Sequence, residues 1–279
     1  MQGWRRAIPE TRDRTQSKTL TWVVGLLLLA GALALPLGTL RLGLPLWPMG
    51  RPLLLSLVFA AVVFVLRAAT LAASAIGLLI CFVLAEAPAA WSRFTYDPTE
   101  HWLVAALLVI FVLTFAATKY GRKKKEERGL SESKRGRSAS QIVANLGVAG
   151  LFAAVGWYEG CVAALAEAAA DTVSSEIGQA TGHPARLVTS GQIVPAGTDG
   201  GVTITGTLAG LGAAAVVVAT GSGHHSLWPI QVATWTGACA GLYFDSLLGA
   251  TLERRGWMGN DLVNFSSTLI AAILASTVR

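Results

Sequence analysis

Long stretches of apolar residues recur along most of the chain and are separated by short polar or charged segments. Runs of about 20 such residues are typical of helices that cross a bilayer. The stretches cover residues 20 to 40, 52 to 66, 68 to 90, 101 to 118, 140 to 156, 159 to 180, 202 to 220, 227 to 250 and 262 to 278. The pattern therefore predicts an all-α polytopic membrane helix bundle with about nine transmembrane helices. Arg67 is the single break between the second and third stretches.

The composition agrees with a membrane protein. Apolar residues make up 53% of the 279, charged residues only 14%, and the mean hydropathy is +0.56. A typical soluble domain carries about 25% charged residues, and a disordered chain has too few apolar residues to match. Both of these classes are excluded.

Basic residues give the chain a formal net charge of +6 and cluster in two segments. One cluster precedes the first apolar stretch, and the other lies between the fourth and fifth stretches. The second cluster comprises Lys119, Arg122, Lys123, Lys124, Lys125, Arg128, Lys134, Arg135 and Arg137. Aromatic residues are not interleaved with these cations, so we expect no nucleic-acid partner. Contact with anionic membrane lipids is the better interpretation.

The positive-inside rule predicts the orientation, because cationic connections between membrane helices stay in the cytoplasm. With a cytoplasmic N-terminus, every even-numbered connection is cytoplasmic, and the larger basic cluster is the fourth connection. The sixth connection carries Arg186 and the eighth carries Arg254 and Arg255, whereas the odd connections after the fourth carry no Lys or Arg. We therefore expect a bacterial-type inner-membrane protein with its active site facing the cytoplasm.

The position of polar residues predicts three parts of the chain. Residues 1–118 form a four-span scaffold, because charged residues are almost absent from its apolar stretches. Residues 119–139 form a basic cytoplasmic loop, for which a solvated topogenic loop is favoured over a nucleotide lid. Residues 140–279 form a five-span catalytic core, because a charge inside a membrane helix is costly and commonly has a functional or pairing reason.

The sixth stretch is the richest in polar residues. At helical spacing Glu167 and Asp171 lie on one face, whereas Glu176 lies about 140° around the helix from Asp171. Asp171 and Glu176 share a site only if the helix frays near Gly178 or a second helix supplies the other wall. The alternative is that these acids pair with arginines or backbone groups and stabilise the fold.

The sixth connection is rich in glycine and ends where the seventh stretch begins. Pro195, Gly197, Gly200 and Gly201 break regular structure there. Such a loop presents backbone N–H groups, and the N-terminus of the next helix adds its dipole, which together suit a phosphate. A plain tight turn is the alternative.

The eighth stretch places Gly237, Gly241, Asp245 and Gly249 at successive i+4 positions. Small residues at this spacing let helices pack closely, so Asp245 is expected to face the protein interior. Asn145 and Asn264, near the starts of the fifth and ninth stretches, complete a polar set. The predicted topology places all of these residues toward the cytoplasm, where one site can contain them.

Four motifs in this order carry a resemblance to a known family: "GRSASQIVANLG", "ADTVSSEIG", "RLVTSGQIVPAGTDGGVTITGT", and "FDSLLGATLE" followed by "NDLVNF". The chain resembles the integral membrane family that includes phytyl-phosphate kinase and animal transmembrane protein 19, a family with a domain of unknown function 92. The resemblance covers residues 120 to 279. It implies transfer of a phosphoryl group from a nucleoside triphosphate, with CTP expected, to a prenyl monophosphate lipid, which becomes the diphosphate.

The resemblance also implies most of the candidate site, to which Arg186 and Arg254 are added as nearby cations that could hold phosphates. The catalytic and metal-binding candidates are Asp171, Glu176 and Asp245, with Mg²⁺ as the expected cofactor because it prefers a few carboxylates plus phosphate oxygens. The candidates for nucleotide or phosphate binding are Asn145, Ser175, Arg186, Gly197, Thr198, Asp199, Gly200, Gly201, Ser246, Arg254 and Asn264. Thr172, Gly178 and Gly249 also match the family motifs.

Three other functions were weighed against this kinase. A P-loop kinase is excluded because the chain has no GxxxxGK[ST] motif and no lysine after Lys134. A CTP-dependent lipid cytidylyltransferase, which releases diphosphate, uses the same metal and nucleotide and stays open. A transporter of lipid or solute also stays open, although it predicts acids near the middle of the bilayer.

Overall fold

A computed structural model describes residues 8–43, 45–91, 101–130, 136–223 and 227–277. Ten α-helices and one small sheet form within these ranges. The helices are α1 (Glu10–Arg41), α2 (Gly50–Val65), α3 (Leu71–Trp91), α4 (Trp102–Lys119), α5 (Arg122–Glu127), α6 (Ala139–Ala154), α7 (Tyr158–Thr181), α8 (Ile204–Gly221), α9 (Trp228–Leu248) and α10 (Asn260–Ser276). The all-α prediction is confirmed.

Apolar helices long enough to cross a bilayer are present. By length and composition they are Glu10–Arg41, Trp47–Val65, Trp102–Lys119 and Ile204–Gly221, and shorter apolar helices cover Leu71–Glu86 and Ala139–Ala154. The prediction of an integral membrane helix bundle is confirmed. Each of the nine apolar stretches coincides with a helix of the described residues, but the number of crossings stays a prediction.

Helix α7 is the central helix, packed against α4, α6, α8, α9 and α10. Its first half is rich in alanine, and the side chains from Cys161 to Ala170 are buried on every face. Small residues allow very close approach: a Cβ added to Gly210 of α8 would lie 2.7 Å from the carbonyl oxygen of Ala170. Most polar residues of α7 lie in its second half, after Ala170.

The start of α1 and the described residues of the even-numbered connections meet at one end of the bundle, which we call the connected end. The contacts that define it join Gln16 to Gly259, Ala69 to Arg137, Gly197 to Leu130, and Gly200 to Ala250. Adjacent helices thus alternate in direction, as the parity argument requires. The side of the membrane that this end faces stays a prediction.

The sixth connection differs from the irregular loop that was predicted. It contains a three-stranded antiparallel sheet in the order β2-β1-β3, made of β1 (Ala185–Leu187), β2 (Ile193–Val194) and β3 (Gly201–Val202). Strands of two or three residues carry no detectable alternation, which explains why the sequence did not show them. Gly197 and Gly200, both with positive φ, lie in the connection from β2 that brings β3 to the other side of β1.

Part of the basic segment folds against the bundle. Helix α5 follows the sharp turn at Gly121, and Lys125 within it is only 1% exposed. This part is therefore not a solvated loop, because its central lysine has a partner inside the protein. Residues 131–135, also within the predicted loop, lie outside the described residues.

Candidate functional site

A polar cavity of about 370 Å³ opens at the connected end. Helices α6, α7, α9 and α10 form its walls, together with residues 196–203 before α8. The predicted site residues that line it are Asn145, Asp171, Thr172, Ser175, Glu176, Gly178, Gly197, Thr198, Asp199, Gly200, Gly201, Asp245, Ser246, Gly249 and Asn264. Residues separated by more than a hundred positions therefore share one site.

Two carboxylates form the acidic wall of the cavity. Asp171 of α7 and Asp245 of α9 both line the cavity and interact electrostatically, and the hydroxyl of Ser267 donates to Asp245 at 3.4 Å. Glu167, one turn before Asp171, and Glu253, beyond the end of α9, interact electrostatically with Asp245. The cavity thus has a concentration of negative charge that favours a bound cation.

Asp245 occupies its position because glycines flank it on α9. A Cβ added to Gly241 would lie 2.8 Å from Cβ of Ala271 on α10, and one added to Gly249 would lie 2.8 Å from the amide nitrogen of Gly200. The prediction that this stripe packs tightly and that Asp245 faces the interior is confirmed. Close packing of α9 on α10 and on the loop brings the carboxylate to the cavity wall.

Arg137 supplies the positive charge of the cavity. Its guanidinium donates to the hydroxyl of Thr172 at 3.4 Å and interacts electrostatically with Asp171. Its backbone is fixed as well, since its N–H donates to the carbonyl of Ala68 and its own carbonyl accepts from Thr70. The sequence analysis placed Arg137 in the basic cluster and within the motif "GRSASQIVANLG", but did not include it among the candidate site residues.

Two asparagines join α6 to α10 beneath the acidic wall. The side-chain amide of Asn264 donates to Asn145 at 3.3 Å, and that of Asn145 donates to the carbonyl of Gln141 at 2.9 Å. Ser138 and Gln141 cap the start of α6 reciprocally, which fixes where this helix begins. These neutral amides are thereby positioned to contact a ligand without adding charge.

Glu176 has a partner that the sequence analysis did not anticipate. Helix α7 continues without fraying to Thr181, and α5 supplies the second wall. The ammonium of Lys125 forms a buried ion pair with Glu176 and also donates to the carbonyls of Ala117 and Thr118. Glu176 still borders the cavity, but its carboxylate binds α5, which is not the metal-binding role that was predicted.

The glycine-rich segment uses some of its own hydrogen-bond donors. The N–H of Gly201 donates to the carbonyl of Thr198 at 2.9 Å, and the hydroxyl of Thr198 donates to the carbonyl of Pro195 at 2.7 Å. Thr203 caps α8 by accepting from the N–H of Gly206. These bonds fix the loop so that Asp199 and Gly200 line the cavity.

Two predicted phosphate-binding arginines do not line the cavity. Arg186 of β1 is exposed, and its guanidinium donates to the carbonyl of Gly191 at 3.0 Å. Arg254 follows α9 and does not border the cavity either. Sequence proximity to the glycine-rich segment suggested both, but strand β1 directs Arg186 outward. Arg137, from a distant part of the chain, supplies the cation there.

The cavity offers few protein ligands to a divalent cation. Within the described residues, no three His, Cys, Asp or Glu side chains converge in a metal-binding arrangement, so protein carboxylates would provide at most two direct ligands. One oxygen of Glu167 is buried without a hydrogen-bond partner beside this pair. Mg²⁺ is commonly coordinated by a few carboxylates together with phosphate oxygens and water. The two carboxylates of the acidic wall, Asp171 and Asp245, are therefore compatible in number with Mg²⁺ coordination.

The fold and the cavity define an integral membrane protein with a polar site at one end of an alternating helix bundle. The chain belongs to the family described as integral membrane protein DUF92, whose model matches residues 54–272. The match begins well before residue 120, so it includes most of α2 and all of α3 and α4, in which no motif was recognised. No solved structure matches the chain significantly.

Curated relatives come from an archaeon, a cyanobacterium and a plant. An uncharacterized membrane protein of Methanocaldococcus jannaschii is 33% identical over 174 residues, which are 60% of this chain and 72% of that protein. An uncharacterized membrane protein of Synechocystis is 32% identical over 183 residues, 61% and 70% respectively. Protein VTE6, chloroplastic, of Arabidopsis thaliana is 33% identical over 198 residues, 64% and 58% respectively.

Proposed function

We propose that the protein is a membrane-embedded kinase that transfers a phosphoryl group from a nucleoside triphosphate, with CTP the expected donor, to an isoprenyl monophosphate. The observation that carries this proposal is the opposition of charges in one cavity, where Asp171 and Asp245 face Arg137. A reaction between two phosphates requires cationic groups for the phosphates and carboxylates for the accompanying metal ion. The resemblance to the family of phytyl-phosphate kinase supports the same reaction.

The proposed chemistry needs no strong general base. The second pKa of a phosphate monoester is about 6, so the acceptor oxygen is mostly ionised at neutral pH. This oxygen bonds to the γ-phosphorus of the nucleotide while the bond to the β,γ-bridging oxygen breaks, which leaves a nucleoside diphosphate. Arg137 binds the acceptor phosphate, and Asn145 and Asn264 orient it.

Mg²⁺ would be held by Asp171 and Asp245 and would supply charge neutralisation to the triphosphate. The chain's own contribution is the geometry of these two carboxylates, set by the packing of α7, α9 and α10. Arg137 holds the acceptor beside Asp171, and the segment 196–203 with the N-terminus of α8 encloses the other side. Alignment of two polyanions accounts for much of the expected rate acceleration.

The test is a product assay on protein purified in detergent. CTP, and ATP, GTP or UTP for comparison, is supplied with Mg²⁺ and phytyl monophosphate, and prenyl diphosphate and nucleoside diphosphate are measured. Asp171→Asn and Asp245→Asn should each lower turnover by roughly 10²-fold to 10³-fold. Glu159→Gln is the matched control, because Glu159 lies at the opposite end of the same helix α7. Equal turnover in all three variants would exclude the proposed site.

The same assay separates the alternatives. A cytidylyltransferase would yield a CDP-lipid and free diphosphate. A transporter would show no turnover with any nucleotide, and the purified protein in vesicles would move an anionic solute or lipid across the bilayer. Either result would replace the kinase proposal.

A further inference from the structure

A second cavity, of about 380 Å³, adjoins the polar one. Helices α2, α3, α4 and α6 supply most of its lining, so it belongs largely to the half of the chain that was predicted to be scaffold. Arg137 and Asn145 border both cavities. The two cavities therefore meet at the residues proposed to bind the acceptor phosphate.

The wall of this second cavity carries a row of aromatic rings. The rings of Phe59 and Phe111 pack edge to face at a centroid distance of 6.1 Å, and those of Phe111 and Phe115 lie 5.7 Å apart. The ammonium of Lys119 lies 5.1 Å from the centroid of Phe115. The row thus runs from a cation at the connected end into an apolar interior.

The polarity of the cavity is graded along its length. Four cations border it, namely Arg67, Lys119, Arg122 and Arg137, and all lie where their helices end or begin at the connected end. Deeper along the same helices the lining is apolar and includes Leu107, Ile110, Ala73 and Gly77. A ligand that matches this gradient is anionic at one end and hydrocarbon at the other.

We propose that this cavity binds the isoprenyl tail of the lipid monophosphate while its phosphate reaches Arg137 in the polar cavity. The inference rests on the proposed function for the identity of the phosphate-bearing substrate. Continuity of the two cavities at Arg137 and Asn145 argues for one amphipathic ligand instead of two separate ones. The volume is in the range of about 300–1,000 Å³ that small-molecule sites occupy.

Gly77 on α3 lines the apolar part of this cavity. A Cβ added there meets only Cε1 of Phe59, at 3.8 Å, which is an ordinary contact. Gly77→Ala should therefore leave the cavity usable, whereas Gly77→Leu places a branched side chain in its deep part. Gly212→Leu is the matched control, since Gly212 is an exposed mid-helix glycine of α8 with no atom within 4 Å of an added Cβ.

The first experiment measures binding without nucleotide. An isoprenyl monophosphate with a diazirine at the tail end is photolysed with the detergent-purified full-length protein, and the labelled residues are mapped by mass spectrometry. Labels at Phe59, Gly77 or Leu107 that are lost in Gly77→Leu and kept in Gly212→Leu support the cavity. Labels confined to the outer surface of the bundle, such as Leu208 of α8, overturn it, and the wild-type map decides this even where a variant does not fold.

The chemical class of the ligand is tested by competition in the same reaction. Unlabelled phytyl monophosphate should suppress labelling of the cavity, whereas phosphatidic acid, which has the same headgroup chemistry on two acyl chains, should not. Equal suppression by phosphatidic acid would overturn the assignment to an isoprenyl tail.

The second experiment measures chain-length preference of turnover. Gly77→Leu should lower turnover of phytyl monophosphate by about tenfold or more relative to geranyl monophosphate, which is in the range that hydrophobic pockets discriminate. Gly77→Ala and Gly212→Leu should keep the wild-type ratio of the two turnover rates. Cavity labelling without turnover would refute the kinase but not the tail site. Turnover without cavity labelling, or with an unchanged ratio in a folded Gly77→Leu protein, would refute the tail site but not the kinase.

Discussion

Arg137 lines the polar cavity, whereas Arg186 and Arg254, the arginines predicted to bind phosphate, do not. Arg137→Gln should lower kcat/KM for the lipid monophosphate by about 10²-fold, because a charged donor to the phosphate is lost. Arg186→Gln and Arg254→Gln should have little effect, since neither side chain borders the cavity. Kinetics of the three variants at equal ionic strength check this. Wild-type activity in Arg137→Gln with a loss in Arg186→Gln would restore the prediction from sequence.

Gly200 is the glycine on which the shape of the loop depends. Gly200→Ala should destabilise the protein by more than Gly191→Ala, although both residues have a similar positive φ, which costs an alanine about 1–2 kcal/mol. A methyl group on Gly200 would overlap the backbone of Ala250, whereas one on Gly191 has open space around it. Thermal unfolding in detergent measures the difference, and equal transition temperatures would show that the loop does not pack on α9 as described.

The sequence revealed the acidic residues of the site better than the basic ones. Asp171 and Asp245 interrupt apolar helices, where any charge is conspicuous because of its cost. Arg137 and Lys125 lie in a run of cations, in which one buried lysine or arginine resembles its exposed neighbours. Their partners, Asp171 and Glu176, are 34 and 51 positions away, and only the packing of the helices identifies them.

At the scale of elements, the ion pair of Lys125 and Glu176 attaches α5 to α7. Lys125→Met should cost about 3–5 kcal/mol, because it leaves the buried carboxylate of Glu176 unpaired. Glu176→Gln should cost less, since the backbone carbonyls of Ala117 and Thr118 still accept from Lys125. The double variant should be more stable than the sum of the two losses predicts, and a double-mutant cycle on thermal stability measures this coupling.

A control on the same helix makes the cycle specific. Glu126 pairs with Arg122 at 2.9 Å, with both side chains about 40% exposed, so Glu126→Gln should cost about 0–1 kcal/mol.

The Mg²⁺ dependence of activity separates the two roles of Glu176. If it bound the metal, Glu176→Gln alone would raise the Mg²⁺ concentration needed for half-maximal rate, and adding Lys125→Met would not reverse that change.

Helices could be predicted from the sequence and the smaller elements could not. An apolar stretch of 15 or more residues averages over many positions, and each predicted stretch coincides with a helix. Helix α5 has six residues, all of them charged, and β1 to β3 have two or three. Such short elements form because Gly121, Gly197 and Gly200 make turns that place them against the bundle.

For the whole molecule, the alternation of helices leaves one binary question, the side of the membrane that the connected end faces. The basic N-terminal segment and the fourth connection predict the cytoplasm, where nucleoside triphosphates are available. Labelling of single cysteines decides this question. The background variant has alanine in place of Cys81, Cys161 and Cys239. Single cysteines are then introduced at three exposed positions, as Thr11→Cys, Thr189→Cys and Leu227→Cys. Thr11 and Thr189 belong to the connected end, and Leu227 precedes α9 at the other.

In cells whose outer membrane has been permeabilised, a membrane-impermeant maleimide should label Leu227→Cys from the outside. It should label Thr11→Cys and Thr189→Cys only in inverted inner-membrane vesicles. Labelling of both in the vesicles, together with activity there on added CTP, would place the polar cavity where its nucleotide is found. The reverse pattern would place Asp171 and Asp245 on the side that lacks nucleoside triphosphate, and a kinase could not operate from that side. Agreement of Thr11 with Thr189 tests the alternation itself, because an odd number of crossings between them would separate their labelling.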